Sequence, residues 1–320
     1  MKTVLVTAIG SFAADIVIKK LEENGFSVIG CDIYRKELIA DAYQVSKFFQ
    51  APLAANENEY IEFIKNLCKS ENIEYIIPLT DVEVDVFNRN REWFEENNAC
   101  LCISSKDTID ICRDKKCLAD FMSKQGFIKT IPTNFAKSLT GEPQFPAVCK
   151  PYNGRSSNGL KYINNSAEWQ AFIASELSKD CIVQPYIKGS VITVDVVRQK
   201  NGEKVVAVAR EELLRTPNGA GTSVYVFSYE ELEKKCAELA DTLKIVGCVN
   251  FEFIKDESDS YYLLECNPRF SGGIEFSCMT GYDFVLNHIR CFAGQKIDAR
   301  MNFKNMYIAR KYEEYITKVE

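Results

Sequence analysis

The first 105 residues alternate between short apolar runs and amphipathic stretches, and this alternation restricts the fold more than any other feature. The runs TVLVTA, SVIGCDI and IEYIIPLT predict strands, and DIVIKKLEENG and EYIEFIKNLCKSEN have the spacing of helices. Alternating β and α elements of this kind form a parallel sheet with helices on its faces. We therefore predict an α/β, Rossmann-like N-terminal domain at residues 1–105.

A dinucleotide site in this domain is one interpretation that the sequence permits. Asp32 ends the second predicted strand, where a ribose-binding carboxylate would lie, but the turn TAIGSFAAD contains one glycine where the dinucleotide fingerprint needs three. The missing glycines leave little room for a pyrophosphate. We favour a scaffold or substrate-side domain and keep the dinucleotide site as the alternative.

The pattern changes after residue 105 and predicts an α+β unit. The segment TIDICRDKKCLADFMSKQG reads as a pair of helices, and SVITVDVVRQKNGEKVVAVAREEL and GCVNFEFIKDESDSYYLLECNPR read as hairpins. We place this second domain at residues 106–300. Residues 301–320 are polar and mixed, and we predict a C-terminal extension with an outer strand or helix.

Composition excludes several classes of function. The net charge is −6, no apolar run reaches the length of a membrane span, and no basic cluster is interleaved with aromatic residues. These features argue against a membrane or a nucleic acid as partner. The 13 cysteines are scattered, as expected for reduced thiols in a cytoplasmic protein. His288 is the only histidine, which excludes a His-based triad and a multi-His metal site.

The second hairpin predicts a metal site. If its polar turn centres between Ser258 and Asp259, Glu252 lies directly opposite Glu265, and opposed residues point to the same face. Asn267 follows two residues later and shares that face. Two opposed carboxylates need a compensating cation, and an all-oxygen ligand set suits Mg²⁺. A solvated hairpin face is the alternative, but the neighbouring positions supply no lysine or arginine.

Two further features complete this candidate site. The opposite face of the hairpin is predicted to be apolar, formed by Phe251, Phe253, Leu264 and Cys266. A proline ends the second strand, and Arg269 just beyond it can reach back over the site as a fork for phosphate or carboxylate.

A glycine-rich loop in CKPYNGRSSNGLKYI resembles the start of a phosphate-binding P-loop. Leu160 stands where that motif needs a lysine, and the segment continues as a strand, so the P-loop interpretation fails. A loop of Gly, Ser and Asn remains. Ser156 and Ser157, with backbone N–H groups, can close over phosphates that Lys150 neutralises.

Together these motifs resemble the ATP-grasp superfamily, in particular the branch of carbamoyl phosphate synthase large subunits and biotin carboxylases. The resemblance covers most of the chain, through IIPLTDVEVDVF, RDKKCLADFMSKQGFIKTIPT, FPAVCKP, VQPYIKGSVITVDVV and NFEFI…LLECNPRFSGG. It implies a pre-ATP-grasp N-terminal domain and a two-lobed ATP-grasp fold, with a mobile lid at about 128–187. Homodimers are common in this branch.

The resemblance also implies roles for the hairpin. Glu252 and Glu265 would hold one or two Mg²⁺ ions, with Mn²⁺ as the alternative, and Asn267 would complete the shell. Arg269 would orient the transferred phosphoryl group or the acceptor carboxylate, and Lys150 would act with it as a catalytic residue. Arg210 or Arg215 is an additional candidate contact to phosphate or substrate.

For the nucleotide, the resemblance implies that Lys115 and Lys150 contact phosphates, and that Gln184, Tyr186 and Ile187 meet adenine and ribose. The hinge departs from the family pattern. It reads Gly-Ser-Val at 189–191, where the family usually has a glutamate that touches ribose, and Pro185 also differs. These departures predict either weaker ATP binding or a ribose contact from another residue.

The activity implied by the resemblance is ATP-dependent ligation of a small carboxylate to an amine. The carboxylate is activated as an acylphosphate, an amide or peptide bond forms, and ADP and phosphate are released. Phosphoryl transfer of this kind requires positioning and charge neutralisation, so the single histidine is not needed. The alternatives are carbamoyl phosphate synthase-like or carboxylase-type phosphoryl transfer to bicarbonate or carbamate, and a non-catalytic nucleotide-binding regulatory protein.

Overall fold

A five-stranded parallel sheet forms the first unit of the computed structural model, which describes residues 2–155, 158–217 and 219–319. Its strands lie in the order β3-β2-β1-β4-β5. The strands are β1 (Thr3–Thr7), β2 (Ser27–Asp32), β3 (Lys47–Gln50), β4 (Tyr75–Ile77) and β5 (Cys100–Leu101). The helices are α1 (Ala14–Glu23), α2 (Glu57–Glu71), α3 (Asp81–Arg89) and α4 (Arg91–Glu96).

The burial pattern of this sheet explains why its strands read as apolar runs. Val4, Leu5 and Val6 of β1 are all fully buried, because helices cover both faces of a parallel sheet. Helix α1 packs Val17, Ile18 and Leu21 against it. The predicted Rossmann-like fold class is confirmed.

A four-stranded sheet forms the second unit and lies across the cleft from the first. Two helices lead into it, α5 (Lys106–Arg113) and α6 (Lys115–Ser123), and its strand order is β7-β10-β8-β9. The segments that follow α6 are β6 (Lys129–Thr130), β7 (Asn134–Phe135), β8 (Ala147–Pro151), β9 (Lys161–Ile163), α7 (Ser166–Ala174) and β10 (Cys181–Pro185).

A seven-stranded sheet forms the third unit, with the order β16-β13-β12-β11-β14-β15-β6. Its elements are β11 (Gly189–Arg198), β12 (Val205–Arg215), β13 (Gly221–Phe227), α8 (Glu230–Thr242), β14 (Gly247–Asp256), β15 (Tyr261–Asn267), α9 (Ile274–Cys278), α10 (Phe284–Phe292) and β16 (Met306–Ala309). Helix α8 covers one face through Leu232, Cys236 and Leu239. Part of the other face lines the cleft, and the rest packs against α9 and α10.

Sheet pairing shows how the predicted segments are used. Strand β6, at the start of the segment predicted as a lid, pairs with β15 of the large sheet, and β16 in the predicted C-terminal extension pairs with β13. Strands β3 and β13 went unrecognised in the sequence. The four residues of β3 are all exposed or half-buried, so they give no apolar run. The domain boundaries stay predictions.

Two features bear on the compositional predictions. No helix in the described part of the chain is long and apolar enough to cross a membrane. All 13 cysteines are free thiols, and most of them are buried in the cores.

Candidate active site

A cleft of about 980 Å³ lies where the three sheets meet. Almost every residue singled out in the sequence reaches its lining. The predicted residues on its surface are Lys115, Lys150, Gln184, Tyr186, Ile187, Arg210, Arg215, Glu252, Glu265, Asn267 and Arg269. Ser156 and Ser157 lie outside the described residues.

The hairpin register places the two glutamates as predicted. Glu252 is paired with Glu265, and Asn250 is paired with Asn267. A β-bulge after Glu252 shifts the rest of the ladder by one residue, so Phe253 pairs with Leu263. The prediction that Leu264 lies on the apolar face is therefore wrong: Leu263 is buried in the core, and Leu264 lines the cleft. Bulges commonly re-aim side chains beside functional sites.

The two carboxylates have different electrostatic environments. Burial and the charge of Glu265 raise the pKa of Glu252 from 4.5 to about 7, and Arg215, 3.8 Å away, only partly opposes this. Burial also acts to raise the pKa of Glu265, but Lys115 and Lys150 outweigh it and bring that pKa below its usual value. Lys115 lies closest to Glu265, whereas the cation nearest to Glu252 is Arg215 at 3.8 Å, so the charge of Glu252 is the less compensated of the two.

The two lysines approach the pair from different elements. Lys115, the first residue of α6, places Nζ 3.3 Å from Glu265 and donates to the carbonyl of Gly154 at 2.6 Å. Lys150, in β8, is buried, and burial lowers its pKa to about 8. The glycine-rich loop is thus tied to the carboxylate pair through Lys115.

Asn267 is oriented by a partner that the sequence analysis missed. Its amide nitrogen donates to the side chain of Asn250 at 3.1 Å and to Glu265 at 3.4 Å. This arrangement directs the amide oxygen away from those acceptors, as a cation ligand would require. No three His, Cys, Asp or Glu side chains among the described residues form a ready-made metal cluster. The donor set is two carboxylates and an amide, which fits Mg²⁺ bound together with phosphate oxygens.

Arg269 is held by a residue from the N-terminal domain. Its guanidinium donates to both oxygens of Asp81, at 3.1 and 2.8 Å, and to the carbonyl of Phe270 at 2.9 Å. Arg113 lies 3.4 Å from the same carboxylate. The guanidinium of Arg269, which was predicted to bind a phosphate or carboxylate of a ligand, is therefore already bonded to the carboxylate of Asp81. Asp81 was missed because it lies 188 residues from Arg269, although TDVE has the pattern of a helix capping box.

Two family models match this chain. A model for the N-terminal domain of PylC-like proteins matches residues 4–102, and a model described as ATP-grasp in the biosynthetic pathway with Ter operon matches residues 177–315. The second match contains the hairpin with both glutamates. The chain thus contains an ATP-grasp unit.

The sequence relatives of this chain are distant. It is 25% identical over 60% of its length to a carbamoyl phosphate synthase large chain of Agathobacter rectalis, and that match spans only 19% of the relative. It is also 25% identical to a formate-dependent phosphoribosylglycinamide formyltransferase of Bacteroides fragilis, over 84% of this chain and 71% of the relative.

Solved structures agree with the ATP-grasp fold. The biotin carboxylase domain of Hydrogenobacter thermophilus 2-oxoglutarate carboxylase superposes with a TM-score of 0.78 at 21% identity, over 96% of this chain and 73% of that chain. N5-carboxyaminoimidazole synthetase from Staphylococcus aureus gives 0.76 at 16% identity, over 96% and 81%. At these identities the likeness concerns the fold.

The residues predicted to meet the nucleotide line the cleft at the end of β10. Gln184 is buried in β10 and donates to Thr133 at 2.8 Å. Tyr186 is 43% exposed and packs edge-on against Tyr162 of β9, and Ile187 is half-buried. An exposed aromatic ring and an aliphatic side chain offer a surface on which a base can stack.

The two other candidate arginines differ from each other. Arg210 is fully buried and bonded to Asp195, to Glu212 at 2.9 Å and to Ser271 at 3.0 Å, so its charge is already matched. Arg215 is half-exposed at the cleft mouth and donates to the carbonyl of Gly219. Of the two, Arg215 is the one able to reach a ligand.

Proposed function

We propose that the chain is an ATP-dependent ligase that joins a small carboxylate to an amine. The observation that carries this proposal is the opposed pair Glu252 and Glu265, which faces Lys115 and Lys150 across a cleft built from three sheets. A buried carboxylate pair in which the charge of Glu252 is only partly compensated, beside two lysines, suits a nucleoside triphosphate bound with a divalent cation. ATP is assigned from this geometry and from the family.

The chain's own groups divide the work of binding. Gln184, Tyr186 and Ile187 would hold the base and ribose, and Lys115 and Lys150 would neutralise phosphate oxygens. Glu252, Glu265 and Asn267 would hold Mg²⁺, which would supply charge neutralisation at the transferred phosphoryl group. Arg269, fixed by Asp81, would present its remaining cationic surface to the acceptor.

The reaction then consists of two displacements. A carboxylate oxygen attacks the γ-phosphorus, and the bond to the β–γ bridging oxygen breaks with its electron pair leaving on ADP. The amine nitrogen then attacks the acyl carbon, phosphate leaves with the electron pair of the C–O bond, and the nitrogen loses a proton. Closing the site against water protects the acylphosphate from hydrolysis.

The decisive experiment measures Mg²⁺-dependent ADP release with pairs of carboxylates and amino acids. We expect release that requires both partners, and a loss of about 100-fold or more in Glu265→Ala, the scale seen when a charge-stabilising group is removed. Glu211→Ala is the matched control, because Glu211 lies in β12 on the opposite face of the same sheet. Equal losses in both variants would contradict the assignment.

A regulatory, non-catalytic role predicts a different result. The Gly189-Ser190-Val191 hinge is the observation that favours it, because it lacks the glutamate of the family pattern. In that case Mg·ATP would stabilise the protein against heat, and Glu265→Ala would abolish the stabilisation, yet no substrate pair would release ADP.

A further inference from the structure

The two sides of the cleft differ in charge. All of its lysines and arginines come from residue 115 onward, and they are Lys115, Lys150, Arg155, Arg210, Arg215 and Arg269. The part of the lining contributed by residues 8–83 contains no lysine or arginine, and its charged groups are Asp32, Asp81 and Glu83. We call this part the N-terminal wall.

The N-terminal wall exposes large apolar side chains to the cleft. Phe12 is 45% exposed, Ile33 39%, Tyr34 58% and Leu53 52%. Side chains of this size are normally buried, and when several gather in a concave site they indicate contact with an apolar ligand. The wall is therefore shaped for a hydrocarbon surface.

Helix N-termini are the other means by which this wall could hold an anion, and those of α1 and α3 are already neutralised. Helix α2, which begins just after the lining residues 53–55, likewise carries Glu57 and Glu59 in its first turn. The loop before α1 presents the N–H of Gly10 to Asp32 at 2.9 Å, and α1 carries Asp15 in its first turn. Helix α3 begins at Asp81 and is capped by Thr80 and Glu83. An added phosphate would meet carboxylates at all three helix starts.

From this partition of charge we infer the class of the amine substrate: an unphosphorylated amine with a hydrocarbon-rich body, bound against the N-terminal wall with no acidic group on that part. The inference rests on the proposed ligase function. The carboxylate to be activated points instead toward the cations of the opposite side. A phosphoribosyl amine, such as the one in the name of the formyltransferase relative, would place its phosphate against a wall that contributes no cation of its own. The nearest guanidinium groups are already engaged: Arg269 is bonded to Asp81, and Arg310 lies over Phe12 and donates to the carbonyl of Gly272.

The acidic groups of the wall favour an amine there. The carboxylate of Asp32 accepts one backbone N–H on each oxygen, from Gly10 at 2.9 Å and Tyr34 at 3.1 Å. Each carboxylate oxygen has a second acceptor position, so Asp32 retains capacity for an ammonium or amine donor. Glu83, in contrast, is occupied by Tyr60 at 2.9 Å and by Thr80 at 2.8 Å.

The test compares amines by calorimetric binding in the absence of ATP and by ADP release. The probes are leucine, phenylalanine and ornithine on one side, and glutamate and phosphoserine on the other. We expect at least one probe of the first group to bind about tenfold more tightly than either acidic probe, the scale of discrimination that apolar contact provides. Equal or tighter binding of phosphoserine or glutamate would overturn the inference.

A pair of variants localises the effect. Leu53→Arg places a cation on the wall and should weaken the favoured amine at least about tenfold, through lost apolar contact and, for ornithine, like-charge repulsion. Leu38→Arg is the control, because Leu38 is 63% exposed in the same domain and does not line the cleft. Both positions are on the surface, and thermal melting verifies the fold. Identical affinities in the two variants would refute the assignment of the wall.

The outcomes separate this inference from the proposed function. Selective binding that depends on Leu53, without ADP release from any pair, would refute the ligase and leave the wall as the amine site. ADP release with phosphorylated or dicarboxylic amines would support the ligase and refute the substrate class.

Discussion

Two clusters of buried charge lie at the same cleft, and the pKa values of their carboxyl groups shift in opposite directions. Asp81 has Arg269 at 2.8 Å and Arg113 at 3.4 Å; although burial acts to raise its pKa, these cations lower it to about 2. Glu252 has only Arg215 at 3.8 Å, and its pKa rises to about 7. The Asp81 cluster is internally satisfied and joins two domains. In the glutamate pair the charge of Glu252 is only partly compensated, which suits a bound cation.

We expect the largest loss of stability when the carboxylate of the Asp81 cluster is removed. Asp81→Ala leaves the half-buried guanidinium of Arg269 without its carboxylate partner, while Arg113 keeps Asp85, and we expect the change to cost about 3–5 kcal/mol in the free energy of unfolding. Urea unfolding measures it. Asp85→Ala is the control, since Asp85 is 30% exposed and bonds only Arg113, and its cost should stay below about 1 kcal/mol. Similar costs for the two variants would mean that Asp81 does not hold the domains.

The second prediction is that the two clusters differ in how they make the free energy of unfolding depend on pH. Glu252 has a folded pKa of about 7 against 4.5 for the unfolded chain, so it destabilises the metal-free fold as pH rises from 4.5 and reaches its full effect above 7. In EDTA, Glu252→Gln should therefore be more stable than wild type at pH 8, by about 3 kcal/mol, and the gain should vanish toward pH 4.5.

Asp81 provides the opposite dependence. Its lowered pKa stabilises the fold above pH 3.8, and that contribution is lost as pH falls toward 2. Denaturant unfolding across pH checks both. A Glu252→Gln variant that gains stability at pH 5 as much as at pH 8 would show that its effect is not electrostatic.

The smallest expected effect is at Arg215. Its guanidinium is half-exposed and 3.8 Å from Glu252, so Arg215→Ala should change the free energy of unfolding by about 1 kcal/mol or less. Removal of this cation should also raise the pKa of Glu252 further, which pH-dependent unfolding in EDTA would register. A loss in the free energy of unfolding as large as that of Asp81→Ala would contradict the proposed difference between the two clusters.

Local sequence was enough to place the glutamate pair. An antiparallel hairpin with a short polar turn fixes which residues face each other, so Glu252, Glu265 and Asn267 could be assigned to one face. The bulge that exposes Leu264 to the cleft could not be read in this way, because one extra residue in a strand costs little and leaves no compositional mark. Strand β3 was not predicted for a related reason. It lies at the edge of the sheet, where its residues are exposed or half-buried, so its sequence is not an apolar run.

The sequence by itself determined the periodicities, and through them the parallel N-terminal sheet, the two hairpins and the carboxylate pair. Only the tertiary structure decided which charges are matched. The sequence predicts that the guanidinium of Arg269 is available to a ligand, but in the fold it is bonded to Asp81, which lies 188 residues away in the chain. The same packing collects Phe12, Ile33, Tyr34 and Leu53 on a wall without cations. Period and register are local properties of the backbone, whereas charge compensation depends on which distant side chains share a site from which water is largely excluded.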